Sequence, residues 1–426
     1  MDEPQKNALI VSLTDDVSEI TQLANSLTYH VVQVFIQHRS LPDVNTFAGE
    51  GKIEEMKKFI EEYEDEIELL IVNGELRPSQ WFTLEKILQV TVYDRIRLIL
   101  AIFEERAERR EARLQVRLAQ LHYERPFVRE LIHRAKAGEH PGYMAGGEYQ
   151  VDDYYETIKH QMKKIKEDLE KIRNGREVHR QTRYTSGFCL VSLAGYTNAG
   201  KSSLLNLLTG ETVKVEGKLF STLSTTTRKI NSSFAEKNIP VLLTDTVGFI
   251  ENLPSWVIDA FHSTLEEIEV ADVVLLVVDG SEPEDIVEKK LRVSLRELQD
   301  LGVAAPVLIV FNKIDLITQE QSNQLVSSLH QKGVVEKKSC VFISVLKQKN
   351  ISRLLDLIYS SLPHMVTLRL HLPSTKESQA FVSFLYDSTQ VTSVQYDQGI
   401  TLLVRCNEKI KEKIFSRCRE LGGHFF

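Results

Sequence analysis

The sequence predicts an α/β protein built around a phosphate-loop domain. A small α/β domain and a long helical hairpin precede it, and a small α+β domain follows. Three observations carry that reading. Short apolar runs alternate with amphipathic helical patterns over residues 1 to 100 and again over 187 to 362, the rhythm of βαβ units on parallel sheets. Between these stretches Ile158, Met162, Ile165, Leu169 and Ile172 recur at 4-3-4-3 spacing, the seam of a coiled pair of helices. A Gly-x-x-x-x-Gly-Lys-Ser loop, Gly195 to Ser202, joins an apolar run at 188–194 to a helical pattern at 203–208. The domain boundaries that follow are 1–100, 101–182, 183–363 and 364–426.

In the first domain the strands fall at 8–13, 31–36, 68–72 and 90–93, with amphipathic helices near 18–27, 53–63 and 79–88. Gly49-Glu50-Gly51-Lys52 has the look of a second phosphate loop, but it lacks the full spacing and a strand directly before it. It is read as the turn that starts a helix. Leu114, Leu118 and Leu121 offer a stripe matching the later seam, and the Gly- and Pro-rich stretch 138–147 is the tip between the two arms. Such a pair reads as a projecting lever, with a plain interdomain spacer as the alternative. In the third domain strands are expected at 188–194, 230–234, 240–246, 273–279, 307–312 and 341–345, so each motif follows a strand end, where open α/β sheets place their ligand loops. The last domain suggests β-α-β-β-α over 366–372, 377–386, 390–396, 400–405 and 408–421, with no chemical signature.

The 426 residues are 42% hydrophobic and 26% charged, the composition of an ordinary globular protein. No apolar stretch reaches the roughly 18–20 residues that span a bilayer, and the acidic start Met1-Asp2-Glu3-Pro4 is no signal peptide. Cys189, Cys340, Cys406 and Cys418 are widely separated, so they are read as reduced thiols of a cytoplasmic protein. A net charge of −8 argues against indiscriminate nucleic-acid binding by the whole molecule. Residues 104–136 nevertheless hold nine basic and six acidic side chains, an excess of three positive charges. Arg109, Arg110, Arg113 and Arg117 are candidate RNA contacts within it, the alternative being a solvated helix face.

The chemistry lies in four motifs. In Gly195, Tyr196, Thr197, Asn198, Ala199, Gly200, Lys201, Ser202 and the following Ser203, backbone N–H groups and the helix N-terminus suit a polyphosphate. Lys201 would reach the β- and γ-phosphates, and Ser202 would bind Mg²⁺. Asp245, Thr246, Val247 and Gly248 form Asp-x-x-Gly: the carboxylate would hold Mg²⁺ and the Gly248 N–H would sense the γ-phosphate. Asn312, Lys313, Ile314 and Asp315 select guanine, because Asp315 can accept from N1–H and N2–H₂, donors that adenine lacks, while Asn312 meets the O6/N7 edge. Ser344 and Val345 would offer backbone N–H groups to O6. Between the first two motifs, Phe220, Ser221, Thr222, Leu223 and Ser224 begin a switch loop, and Thr222, Thr225, Thr226 and Thr227 compete to complete the Mg²⁺ shell. Lys201, Thr222 and Gly248 are the expected catalytic set, and Ser202, Thr222 and Asp245 the metal set. Phe249 stands where many GTPases carry a water-orienting glutamine, so slow hydrolysis is expected in isolation.

With these segments, the chain resembles the HflX family of translational GTPases over nearly its whole length. The likeness rests on Gly-Tyr-Thr-Asn-Ala-Gly-Lys-Ser and on Asp-Thr-Val-Gly-Phe-Ile with Leu253-Pro254 behind it. It extends to the segments 94–100, 114–121 and 260–267 and to Phe220-Ser221-Thr222-Leu223, which is why Thr222 is favoured among the threonines. The resemblance implies a Ras-like G domain after an N-terminal α/β domain and a helical linker. It also implies GTP hydrolysis with Mg²⁺ and docking on the large ribosomal subunit, including ribosomal RNA, with stimulation by the ribosome; a monomer is expected, although no residue pattern fixes the oligomeric state. Bacterial members carry Gly-Pro-Gly-Glu-Thr-Gln in the linker loop. Here the segment 141–150 reads Pro-Gly-Tyr-Met-Ala-Gly-Gly-Glu-Tyr-Gln, which suggests an archaeal-type version. Two other readings stay open: a GTP-loaded binding module with negligible turnover, used in ribosome assembly or storage, and an RNA-modification GTPase sharing the threonine-rich switch.

Overall fold

The computed structural model describes residues 6–63, 66–136, 147–185, 188–210, 226–231, 241–246, 248–249, 254, 256–257, 267–363 and 365–426. The chain divides into two compact units, one holding the N-terminal sheet and the long helices as far as Ile172, the other the central and C-terminal sheets.

The first unit starts with β1 (Lys6–Ser12), α1 (Ser18–Ser26), β2 (Tyr29–Ile36), α2 (Glu50–Glu62), β3 (Ile67–Val72), α3 (Pro78–Leu88) and β4 (Thr91–Asp94). The strands form a parallel sheet in the order β2-β1-β3-β4. Its centre is apolar on both faces, as parallel strands under helices require: Leu9, Ile10, Leu70 and Ile71 are all fully buried. Gly49 stands just ahead of α2, and its N–H donates to Gln37 Oε1 at 2.7 Å, a helix start rather than a phosphate loop.

Helix α4 (Arg95–Arg106) follows without a break. Six of its residues are buried (Ile96, Leu98, Ile99, Leu100, Ile102 and Phe103). Asp94 caps it, accepting the Arg97 N–H at 2.8 Å on one oxygen and the Leu76 N–H at 3.1 Å on the other. Then come α5 (Arg110–Lys136) and α6 (Gly147–Thr185). The expected seam is present: Leu121 and Val128 pack with Ile158, Met162 and Ile165, flanked by Leu114, Leu118 and Leu169. The tip at 137–146 lies outside the described residues.

In the second unit β5 (Cys189–Ala194), α7 (Lys201–Thr209), β6 (Thr226–Lys229), β7 (Val241–Asp245), β8 (Val273–Asp279), α8 (Glu284–Asp300), β9 (Val307–Asn312), α9 (Gln319–Gln331), β10 (Cys340–Phe342) and α10 (Ile351–Ser361) form a six-stranded sheet with helices. The order is β10-β9-β8-β5-β7-β6, parallel except for β6. Of the strand expected at 230–234, only 230 and 231 are among the described residues. The described ladder pairs Thr226–Lys229 with Leu242–Asp245, and buried Ile230 carries it on, its N–H donating to Val241 O at 3.0 Å. An edge strand with a half-exposed face can be threonine-rich, and apolarity does not announce it.

The C-terminal part adds β11 (Met365–Leu372), α11 (Lys376–Ser388), β12 (Gln390–Tyr396), β13 (Ile400–Asn407), α12 (Glu408–Glu420) and β14 (His424–Phe425). These strands form an antiparallel sheet in the order β12-β13-β11-β14. Leu368, Leu370, Leu402 and Val404 pack on Phe381, Leu385, Ile410 and Ile414, so both helices cover one face.

Candidate functional site

The phosphate loop leaves β5 at Ala194 and enters α7 at Lys201. Gly200 caps the helix at φ +96°, and a Cβ there would stand 2.2 Å from Asn312 Nδ2, so the position needs glycine on both counts. Lys201 is buried, its Nζ donating to Gly195 O at 2.9 Å and Tyr196 O at 2.7 Å. Burial pulls its pKa down to about 8, opposed by the Asp245 carboxylate. A polyphosphate beside it would offer charged acceptors in place of the two carbonyls. One turn in, the Ser202 hydroxyl donates to Asp245 Oδ2 at 2.7 Å, bringing together two of the residues expected around the metal.

Asp245 ends β7 and is almost wholly buried. Beside it Thr246 Oγ1 donates to Leu193 O at 2.6 Å, tying the Asp-x-x-Gly segment to the strand that feeds the loop. Gly248 lies close against the loop: a Cβ would stand 2.9 Å from Lys201 Nζ and from Thr197 N. Phe249 pairs main chain to main chain with the loop, its N–H donating to Gly195 O at 3.0 Å and its carbonyl accepting from Thr197 N at 3.4 Å. Its ring meets Tyr196 edge-on, with centroids 6.4 Å apart. The chemistry of a phenyl ring offers a water no hydrogen bond there.

On the opposite side of the loop, β9 delivers Asn312, which is 3% exposed. Its Nδ2 donates to Ala199 O at 2.9 Å and its Oδ1 accepts from Val345 N at 3.1 Å. These two bonds make the Asn312 amide a strut between the phosphate loop and the loop after β10. Lys313 takes the left-handed conformation at φ 65°, its Nζ 2.6 Å from Asp279 Oδ2. Ile314 N donates to Ile343 O at 3.2 Å, and Asp315 accepts the Ser344 hydroxyl at 2.5 Å. That hydroxyl is the leading cause holding the Asp315 carboxyl below its usual range. Ser344 N donates to Lys349 O at 3.2 Å, so the two N–H groups assigned to O6 are both engaged within the protein.

Two features were missed in the sequence. Asp279, which pairs with Asn312 across β8 and β9 and holds Lys313, could have been found as the lone acid closing an apolar strand. The Tyr196–Phe249 contact, with Lys290 Nζ 5.5 Å from the Tyr196 centroid, left no local signal. Asn198 is exposed at φ 62° and Ser203 lies in the first turn of α7. Phe220, Ser221, Thr222, Leu223, Ser224, Thr225 and Val247 lie outside the described residues.

A parallel sheet with a Gly-Lys-Ser loop after one strand, Asp-x-x-Gly after its neighbour and Asn-Lys-x-Asp after a third defines a P-loop GTPase. The comparisons with known proteins agree. Residues 14–104 match the family described as GTP-binding GTPase N-terminal, 106–183 the GTP-binding GTPase Middle Region, and 190–313 the 50S ribosome-binding GTPase family. GTPase HflX of Thermococcus kodakarensis is 39% identical over 389 residues, covering 89% of this chain and 86% of that protein. GTPase HflX of Methanocaldococcus jannaschii is 39% identical over 375 residues, covering 88% and 89%. The crystal structure of the SsGBP and GDP complex matches with a TM-score of 0.52 and 28% identity, over 83% of this chain and 98% of that one. The chain belongs to the HflX family of GTPases.

Proposed function

We propose that this chain is a GTP-hydrolysing switch that docks on the large ribosomal subunit and turns over slowly until the ribosome stimulates it. The observation that carries the guanine part is the Asn312 strut, because it fixes Asp315 and the Ser344–Val345 turn against the phosphate loop. A base held by the Asp315 carboxylate then sets its phosphates over Lys201. Asp315 accepts from guanine N1–H and N2–H₂, and adenine offers neither donor in that place.

Ser202 and Asp245 supply hard oxygen donors 2.7 Å apart, a set that suits Mg²⁺, with Thr222 of the switch loop as the third candidate. When bound, the ion offsets charge on the β- and γ-phosphates. Lys201 binds the same phosphates, and the Gly248 N–H is the sensor of the γ-phosphate. The Thr197 N–H bond to the Phe249 carbonyl joins the sensor segment to the loop; GTP orders the segments 220–228 and 245–250 through γ-phosphate and Mg²⁺ contacts, and hydrolysis releases them. Phe249 leaves the attacking water unoriented, which is why a partner must complete the site.

Ribosome docking is supported by the match of residues 190–313 to a ribosome-binding GTPase family. The test is sedimentation with purified large subunits. The chain loaded with a non-hydrolysable GTP analogue should pellet with them at least about tenfold more tightly than the GDP-loaded chain, a coupling of about 1.4 kcal/mol. Equal pelleting in both states would remove the switch from the account.

A further inference from the structure

The C-terminal sheet leaves one face without a helix, and that face has a chemistry of its own. Alternation along β11 sends Leu368, Leu370 and Leu372 into the helix-covered core and sends Thr367, Arg369 and His371 the other way. In the neighbouring strand Thr401, Leu403 and Arg405 alternate with buried Leu402, Val404 and Cys406. The register sets His371 beside Thr401 on one side and His424 on the other, and Arg369 beside Leu403. Phe426 continues the β14 ladder, its N–H donating to Arg369 O at 2.9 Å, which places its ring on this face, 84% exposed.

None of the four strands contains an aspartate or glutamate; the acids of this part of the chain sit on its helices and turns. The open face is therefore cationic in a chain whose net charge is −8. Its arginines are also flat: their guanidinium planes, the rings of His371 and His424 and one exposed phenyl ring can each carry a stacked base, and the arginines can bridge phosphates. His371 Nδ1 lies 3.0 Å from Thr401 Oγ1, so its ring is held rather than swinging. The β-α-β-β-α-β order with strands β12-β13-β11-β14 gives a four-stranded platform, a surface suited to splayed single strands and not to the groove of a duplex. A protein partner would favour a contiguous apolar patch, whereas Leu403 and Phe426 stand among arginines, histidines and threonines on this face.

We propose that the open face of the C-terminal sheet binds single-stranded RNA, through Arg369 and Arg405 on phosphates and His371, His424 and Phe426 against bases. The choice of RNA over DNA rests on the ribosomal reading; the site itself does not, because free oligonucleotides test it without ribosomes.

The experiment is fluorescence anisotropy of the full chain with a labelled 12-nucleotide RNA, the DNA of the same sequence and a 12-base-pair RNA duplex, followed by ultraviolet crosslinking and peptide mapping. Expected are a preference for the single strand over the duplex and affinity that falls steeply with salt. Arg369→Ala/Arg405→Ala should weaken binding at least tenfold with GTP affinity unchanged, and Phe426→Ala should weaken it severalfold. Crosslinks should map to 365–372, 400–407 or 424–426. DNA bound as well as RNA would keep the site and overturn the choice of RNA. No binding at low salt, which would leave the face to a protein, or unaltered binding by the variants, or crosslinks only elsewhere in the unmodified chain, would overturn the proposal.

Discussion

Asn312 and Asp315 stand three residues apart in one motif, yet the structure gives them separable tasks. Asn312→Ala removes an amide that satisfies Ala199 O and Val345 N at 2.9 and 3.1 Å. Each group left unsatisfied costs about 1–3 kcal/mol. Val345 is only half-buried and recovers part of its loss from water, so a total of about 2–4 kcal/mol is expected. For a sheet domain of this size that is a fall on the order of 5–10 °C in melting temperature. Asp315→Asn keeps an oxygen to accept the Ser344 hydroxyl and, on the proposed reading, removes the charged acceptor of two guanine donors. Two hydrogen bonds to a charged group are worth about 3–6 kcal/mol, so GTP affinity should fall about 10²–10⁴-fold while the melting temperature hardly moves. Differential scanning fluorimetry without nucleotide and titration with a fluorescent GTP analogue read the two quantities apart. An Asn312→Ala chain as stable as the parent, or an Asp315→Asn chain still preferring GTP to ATP, would refute the division of labour.

Phe249→Gln should raise intrinsic GTP turnover roughly tenfold to hundredfold by giving the water a partner, and phosphate release without ribosomes measures it. Ser202→Ala should remove most of the dependence of GTP affinity on Mg²⁺, so that a chelator weakens the parent chain and leaves the variant nearly unchanged. Burial lifts the Asp94 carboxyl above its ordinary 3.8, so the folded chain holds that proton more tightly than the unfolded one. Stability from this group is therefore fullest in acid and declines as pH rises from about 4 through the raised value; urea midpoints of Asp94→Asn should show a shallower decline. Asp94→Ala should cost about 2–4 kcal/mol at neutral pH by stranding the Arg97 and Leu76 N–H groups, against little loss if the cap were dispensable.

The parts of the fold that were legible share a local signature. Strands β8 and β9 begin and end at the residues the apolar runs mark, because each run is buried on both sides and bounded by a polar motif. The hairpin seam is legible because a long two-helix contact repeats. Helix α4 left no periodic trace, since its apolar residues occupy nearly every side and a helix buried all round carries no stripe. Strand β14 is two residues long, below any pattern. At the site, residue types and order were readable, but the Asn312–Ala199 bond spans 113 positions and the main-chain pairing of Phe249 with the loop uses atoms every residue has. Chemistry written in side chains shows in a sequence; which of those side chains the scaffold itself occupies does not.

The most direct test of the switch is steady-state GTP turnover by the chain alone, with large subunits and with intact ribosomes from a matching source. Slow turnover alone and stimulation of at least about a hundredfold by ribosomal particles are predicted, the scale on which a partner completes a GTPase site. Tight GTP binding with the same turnover in all three mixtures would contradict the account, leaving a guanine-nucleotide-loaded binding module in its place.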